Sequence, residues 1–153
     1  MSIHARLSEL GIVLPKPAAP VATYVPVVVQ GGFALVSGQL PMQAGALAVT
    51  GKLGASVDIA QGQFAARLCL INVLAQLEAA LPGGLDAVAR IVRLGGFIAA
   101  GPDFTDHAKV MNGASDLAVE IFGERGRHAR STVGVPSLPL DAAVEIEAMV
   151  ALG

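Results

Sequence analysis

The sequence predicts a single two-layer α+β domain in which two helices cover one face of a mixed β-sheet. Three observations lead there. Two long stretches repeat their apolar residues at helical spacing. The other apolar runs are short, rich in Val and Ile, and bounded by glycine or proline, so the order reads β-hairpin, helix, strand, helix, β-hairpin. The chain has 153 residues, of which 54% are hydrophobic and only 14% charged, which fits one sizeable core and excludes disorder.

Each element has a local reason. Residues 3–10 are expected to form a short helix that stops at Gly11, and Pro15, Pro17 and Pro20 keep the following connector free of regular structure. "ATYVPVVVQGGFALVSGQL" reads as two strands joined at Gln30-Gly31-Gly32, with Pro26 marking the first as an edge or bulged strand. "ALAVT" is a short strand candidate before Gly51. Asp58 and Gln61 have capping-box spacing, although Gly62 is a weak residue for a first helical turn. Phe64, Leu68, Ile71, Leu74 and Leu77 then recur at helical spacing until "PGG" ends the helix. "AVARIVRLGGFIAA" is a strand expected to be interrupted at Gly95-Gly96. A second helix is expected over 105–122, with Val110, Ala114, Leu117, Ala118 and Ile121 on one face and Gly123 as its stop. Two last strands flank "PSLPLD" as a closing hairpin.

Composition narrows the function. No apolar run reaches about 18 residues, so no transmembrane helix is expected; the densest stretch, "LCLINVLAQLEAAL", is broken by Asn72, Gln76 and Glu78. The excess of apolar surface then points to an oligomeric interface on the uncovered sheet face. Ten Lys and Arg against twelve Asp and Glu, with 4% aromatics and no Trp, make nucleic acid a poor candidate for the main partner. Cys69 is alone, so no intrachain disulfide forms, and the charged start "MSIHARLSEL" does not resemble a signal peptide; a cytoplasmic location is expected. His4, His107 and His128 are far apart and show no metal-ligand spacing, so no metal site is expected. The glycine-rich turns lack a Walker lysine and a GxGxxG fingerprint, and no GxSxG elbow occurs.

The closing stretch carries the chemistry. Arg130 opens the apolar run "STVGV", and Glu145 and Glu147 share one face of a strand whose other face holds Val144, Ile146 and Ala148. A plain surface ion pair would contribute only about 0–1 kcal/mol. The functional reading is a lined cleft. An arginine's planar fork holds a carboxylate by two parallel hydrogen bonds, and a nearby glutamate positions or deprotonates a water.

At these residues the chain resembles the RidA/YjgF family of reactive-intermediate deaminases over about residues 20–152. "YVPVVVQGGFALVSGQLP" resembles its amino-terminal hairpin, with the hallmark Ser37-Gly38-Gln39. "HARSTVGVPSLPLDAAVEIEAMV" is similar to its carboxy-terminal signature, with fifteen residues from Arg130 to Glu145, and "MNGASDLAVEIFG" to its second helix, with Asn112 near the start. The resemblance implies a chorismate mutase-like fold, a homotrimer with a central barrel, and small-molecule clefts at subunit interfaces. It implies hydrolysis of enamine and imine acids such as 2-aminoacrylate to a 2-keto acid and ammonia, without a cofactor. Carried over, Arg130 clamps the substrate carboxylate and Glu145 orients the attacking water, while Tyr24, Ser37, Gly38 and Asn112 line the cleft. Two rival readings are a non-catalytic module that binds small carboxylates and a ribonuclease, an activity attached to some relatives.

The chain also departs from the family. Residues 1–20 form an amino-terminal extension to the single domain, and "FIAAGPDFTDHAKVMN" is longer than in compact members, as in a divergent subgroup. His107 or Asp106 from this segment could enter the cleft and alter substrate choice; the plainer expectation for His107 is an exposed helix-start residue. Thr132 stands where many relatives have cysteine.

Overall fold

The computed structural model describes residues 1–17, 19–20 and 23–153. Ala18 of the expected connector and Ala22 at the start of the expected first strand lie outside the described residues, as does Val21. Helix α1 (Ile3–Glu9) is capped by the Ser2 side chain, which accepts from the Ala5 amide, and Gly11 follows it at φ 68°. Ile3 and Leu7 are buried in the main core, so α1 is packed onto the domain.

Strand β1 (Val27–Gln30) starts only after Pro26, whose nitrogen has no hydrogen for a ladder. It pairs with β2 (Phe33–Gln39) through the expected turn: Gln30 faces Phe33, and Gly31 and Gly32 take φ of 60° and 82°, as a two-residue hairpin loop of the primed kind requires. The expected strand before Gly51 is reduced to β4 (Ala46–Leu47), paired with β3 (Met42–Gln43) in a small separate ribbon.

Helix α2 (Ile59–Ala80) begins with the expected capping box: the Gln61 amide donates to Asp58 Oδ1 at 2.8 Å, and the Asp58 amide to Gln61 Oε1 at 2.9 Å. Gly62, a weak helix former, sits where a Cβ would meet Leu53 Cδ1 at 2.9 Å and Val110 Cγ1 at 3.0 Å, so close packing accounts for it. Helix α3 (His107–Phe122) buries the expected face and ends at Gly123, φ 60°.

Two strand expectations are corrected. Strand β5 (Val88–Ala99) runs unbroken through Gly95-Gly96. Both glycines lie in extended backbone; their missing side chains make room for the Glu147 carboxylate on one face and the Met111 sulfur on the other. The second correction concerns β6 (Ala129–Val135) and β7 (Val144–Leu152), which do not form a hairpin. The sheet order is β1-β2-β7-β5-β6, and β5 separates the two. The β5–α3–β6 segment is a crossover that lays β6 parallel to β5 at the sheet edge. The chain then passes over the end of β5, where the Ala99 amide donates to Ala143 and the Ala100 amide to Val135. β7 inserts antiparallel between β2 and β5.

The sheet is thus mixed, with one parallel pair, and α2 and α3 cover one face, as expected. The core lies between these layers. On the uncovered face Leu35, Phe33 and Val133 remain exposed, which is the predicted apolar surplus. No helix is long and apolar enough to cross a membrane among the described residues. Asn72 and Gln76, the polar breaks in α2, are buried. Asn72 Nδ2 donates to the Leu40 and Met42 carbonyls, and Gln76 Nε2 to Gln39 Oε1, so the helix holds the segment that leaves β2.

Candidate functional site

The sequence-predicted residues fall into two groups. The first gathers around Glu145. Between Val36 and Gln39 three steps along β2 face two steps along β7, from Ala148 to Ile146, so one extra residue forms a bulge at Ser37-Gly38. The Ser37 amide donates to Pro26 at 2.9 Å and its hydroxyl to the Val25 carbonyl at 3.0 Å, which ties the Tyr24–Pro26 segment beside the bulge. Ser37 therefore spends its hydroxyl on the backbone. Gly38 presents no side chain to Glu145, whose Cδ would stand 2.8 Å from a Cβ placed there.

The result is a recess of about 480 Å³ lined by Tyr24, Pro26, Gly38, Gln39, Leu140 and Glu145, among others. Tyr24 is half-exposed at its wall. Burial raises the Glu145 pKa above the ordinary carboxylate value, and the neighbouring Glu147 charge raises it further. Glu147 itself lies half-exposed, 3.4 Å from Arg93 Nη1.

The second group gathers around Arg130. Its Nη1 donates to Asn112 Oδ1 at 2.9 Å and to Ser115 Oγ at 3.0 Å, and its Nη2 makes a long contact of 3.4 Å with the Ala108 carbonyl. Asn112 and Ser115 are three residues apart and so share one face of α3. Ser115 Oγ also meets His128 Nε2 at 2.9 Å, and His128 Nδ1 meets the Gly126 carbonyl at 2.6 Å. Arg130 makes no ion pair among the described residues. The next residue on its strand face, Thr132, buries a hydroxyl that has no partner among the described residues.

Register decides how the two groups relate. Arg130 is level with Leu94 and Ala148, which point toward the helices, whereas Glu145 is level with Phe97 and Val133. Alternation along the strands therefore puts Arg130 on the covered face and Glu145 on the uncovered one. Within one chain the structure joins Arg130 with Asn112, and Tyr24 with Gly38 and Glu145, but not the two groups with each other.

His107 is the first residue of α3 and stands edge-on to Phe104, with ring centroids 5.3 Å apart. It lines a different recess, of about 400 Å³, with Gly134 and Val135. Asp106 pairs with Lys109 at 3.4 Å instead of entering either group. Ser115 was not singled out by sequence reasoning, and His128 was weighed there only as a metal ligand. Their only signals are spacing: three residues from Asn112 on a helix, and two residues from Arg130 beside a strand.

Comparison with known proteins places this geometry among relatives. A family profile described as "YjgF/chorismate_mutase-like, putative endoribonuclease" matches residues 4–151. Protein TCP17 of Trypanosoma cruzi is 50% identical over 151 residues, 98% of this chain and 94% of that protein. The structure of Atu1372 from Agrobacterium tumefaciens, a protein of unknown function, is 49% identical with a TM-score of 0.90, covering 98% of this chain and 91% of that one. Escherichia coli TdcF, solved with bound serine, is 29% identical with a TM-score of 0.62, covering 90% of this chain and 94% of that one.

Proposed function

Because the chain belongs to the YjgF/chorismate mutase-like family, we propose that it hydrolyses small enamine or imine acids such as 2-aminoacrylate to 2-keto acids and ammonia. The observation that carries this reading is Arg130, a guanidinium ordered by three neutral acceptors and free of any carboxylate among the described residues. A cation held in place yet left unpaired is suited to an anionic guest, and each charge-assisted bond it makes is worth roughly 1.5–3 kcal/mol. TdcF's bound serine, a small amino acid, supports the same class of ligand.

The protein acts in this reading as a homotrimer. Arg130 and Glu145 lie on opposite faces of one sheet, so an interface that sets the edge strand β6 of one protomer beside the Glu145 recess of the next completes the site. The exposed Leu35, Phe33 and Val133 on the uncovered face supply apolar surface for it.

The chemistry then follows. Arg130 holds the carboxylate of the imine tautomer, and Tyr24 and Gly38 border the space for its carbon skeleton. Glu145 takes a proton from water as the oxygen bonds to the electrophilic imine carbon. It passes that proton to the nitrogen, giving a tetrahedral carbinolamine. It then takes the proton of the new hydroxyl and hands it to the nitrogen as the carbonyl forms and the carbon–nitrogen bond breaks, so one water is consumed and one ammonia released. A raised pKa suits both halves of this exchange. Positioning supplies most of the acceleration, since the imine carbon is already electrophilic.

The test couples a source of 2-aminoacrylate to ammonia detection. Arg130→Ala and Glu145→Ala should each lose activity while remaining folded; unchanged turnover by either removes the assignment. Mixed subunits of the two variants should regain activity at about a quarter of their interfaces, because each cleft takes Arg130 and Glu145 from different chains. A mixture that stays inactive refutes the shared cleft. Serine binding in TdcF also favours a second reading, a module that captures small carboxylates without chemistry. Tight pyruvate binding with no ammonia release above the buffer rate selects it. Ribonuclease activity, named in the family description, is opposed by the formal net charge of −2 and the scarcity of aromatics; cleavage that co-purifies with the chain through successive columns would restore it.

A further inference from the structure

We infer that His128 is a positioning residue that aims Arg130 through the Ser115 hydroxyl, leaving the Nε–Nη2 edge of the guanidinium open to a planar carboxylate. The ligand class rests on the reading above, whereas the hydrogen-bonded chain is a property of the protein alone.

The direction of each bond follows from its partners. The Gly126 carbonyl can only accept, so His128 Nδ1 carries the hydrogen across the 2.6 Å contact. With the imidazole in its neutral form, Nε2 is then a lone-pair acceptor and Ser115 Oγ donates to it across the 2.9 Å contact. With its hydrogen committed to His128, the hydroxyl turns its lone pairs toward Arg130 Nη1, 3.0 Å away. Asn112 Oδ1 takes the second Nη1 hydrogen at 2.9 Å, so Nη1 has both of its hydrogens engaged.

Nη2 makes only the 3.4 Å contact with Ala108, and the Nε–H has no acceptor among the described residues. That edge matches the spacing of two carboxylate oxygens. The anchor of the chain is firm. Gly126 is buried, and a Cβ there would collide with the Ala118 carbonyl, so the turn that presents the Gly126 oxygen packs tightly on α3.

Without His128 the Ser115 hydroxyl can turn to a helix carbonyl one turn back, as serine does in helices, and its lone pairs no longer point at Arg130. Arg130 then keeps Asn112 alone on Nη1 and rotates more freely. This effect needs contact between His128 and Ser115, not the contact with Gly126, and two amide side chains separate them. Asparagine reaches about as far as Nδ1 and can keep the Gly126 bond; glutamine reaches about as far as Nε2 and can keep the Ser115 bond.

The experiment compares His128→Asn, His128→Gln and Ser115→Ala by two readouts. Nitrogen-15 NMR of the Arg130 side chain, without ligand, should show slow guanidinium rotation in wild type and His128→Gln, and averaged Nη signals in His128→Asn and Ser115→Ala. Titration with pyruvate should show affinity about fivefold weaker in His128→Asn, the loss of one neutral hydrogen bond, and at least as much weaker in Ser115→Ala, which also removes an acceptor of Arg130. His128→Gln should restore most of it, and binding of the uncharged pyruvamide should not change. The proposal is overturned if His128→Asn leaves the Arg130 signals as slow as in wild type, or if His128→Gln behaves like His128→Asn. Wild-type protein that binds no pyruvate defeats the carboxylate reading instead, while guanidinium rotation still decides the role of His128.

Discussion

Gly38→Ala offers a clean separation of stability from activity. A Cβ at residue 38 would stand 2.8 Å from Glu145 Cδ, 2.9 Å from Oε1 and 3.0 Å from Cγ, against an ordinary contact of 3.4–4 Å. The carboxyl group must therefore retreat by about 0.6 Å or more, and the three nearest atoms all belong to that one flexible side chain, so the side chain can yield without the backbone. The Gly38 backbone does not take the left-handed conformation that strains other residues, so alanine can adopt it, and its smaller unfolded-state entropy offsets part of the crowding, by about 0.4–1 kcal/mol. The melting temperature should thus stay close to wild type. Turnover should not. In the proposed mechanism Glu145 is a reacting group; misplacing such a group by about 1 Å can cost about a hundredfold, and the retreat of Glu145 approaches that distance. Ammonia release at saturating 2-aminoacrylate, read beside a thermal melt, measures both. A variant with wild-type turnover would show that Glu145 does not act from beside Gly38, and one that loses activity only by unfolding would refute the claim that the side chain alone yields.

Two further outcomes follow from the same geometry. Glu145 binds its proton more tightly in the folded protein than when unfolded, so its contribution to stability falls as pH rises from the ordinary value of 4.5 through the raised folded pKa. Glu145→Gln should therefore melt higher than wild type at pH 8, and the difference should vanish below about pH 4, where both states are protonated; a pH-independent difference would exclude burial of the charge as its cause. Gly113→Ala should be strongly destabilising, by about 2–4 kcal/mol, because its Cβ would collide with the Gln63 carbonyl where α3 crosses α2 and neither backbone can yield cheaply. Urea denaturation checks this, and a wild-type midpoint would show that the helices can separate at little cost.

How much of the site was readable in advance depended on the range of the interactions that build it. The Asp58–Gln61 capping box, the Gly31-Gly32 turn and the Gly123 stop are decided by residues within a few positions of one another, and all three are seen as expected. The alternation of Val144, Ile146 and Ala148 against Glu145 and Glu147 was equally legible, since a strand sends successive side chains to opposite faces. Gly95-Gly96 misled because glycine weakens a strand on local grounds. Here the space it leaves is filled by Met111 and Glu147, residues remote in sequence. Ser115 escaped notice, and His128 was weighed only as a metal ligand, because serine and histidine acquire a role only from what they touch, and both touch elements brought together by the β5–α3–β6 crossover.

The chain by itself determined where the two long helices and most of the strands lie and which of their faces are apolar. Only the tertiary structure decided that β5 lies between β6 and β7, and with it that Arg130 and Glu145 point to opposite faces of one sheet. The physical reason is that face preference is written in the two-residue period of each strand, whereas the order of strands across a sheet is set by pairing between distant segments, which no local pattern encodes.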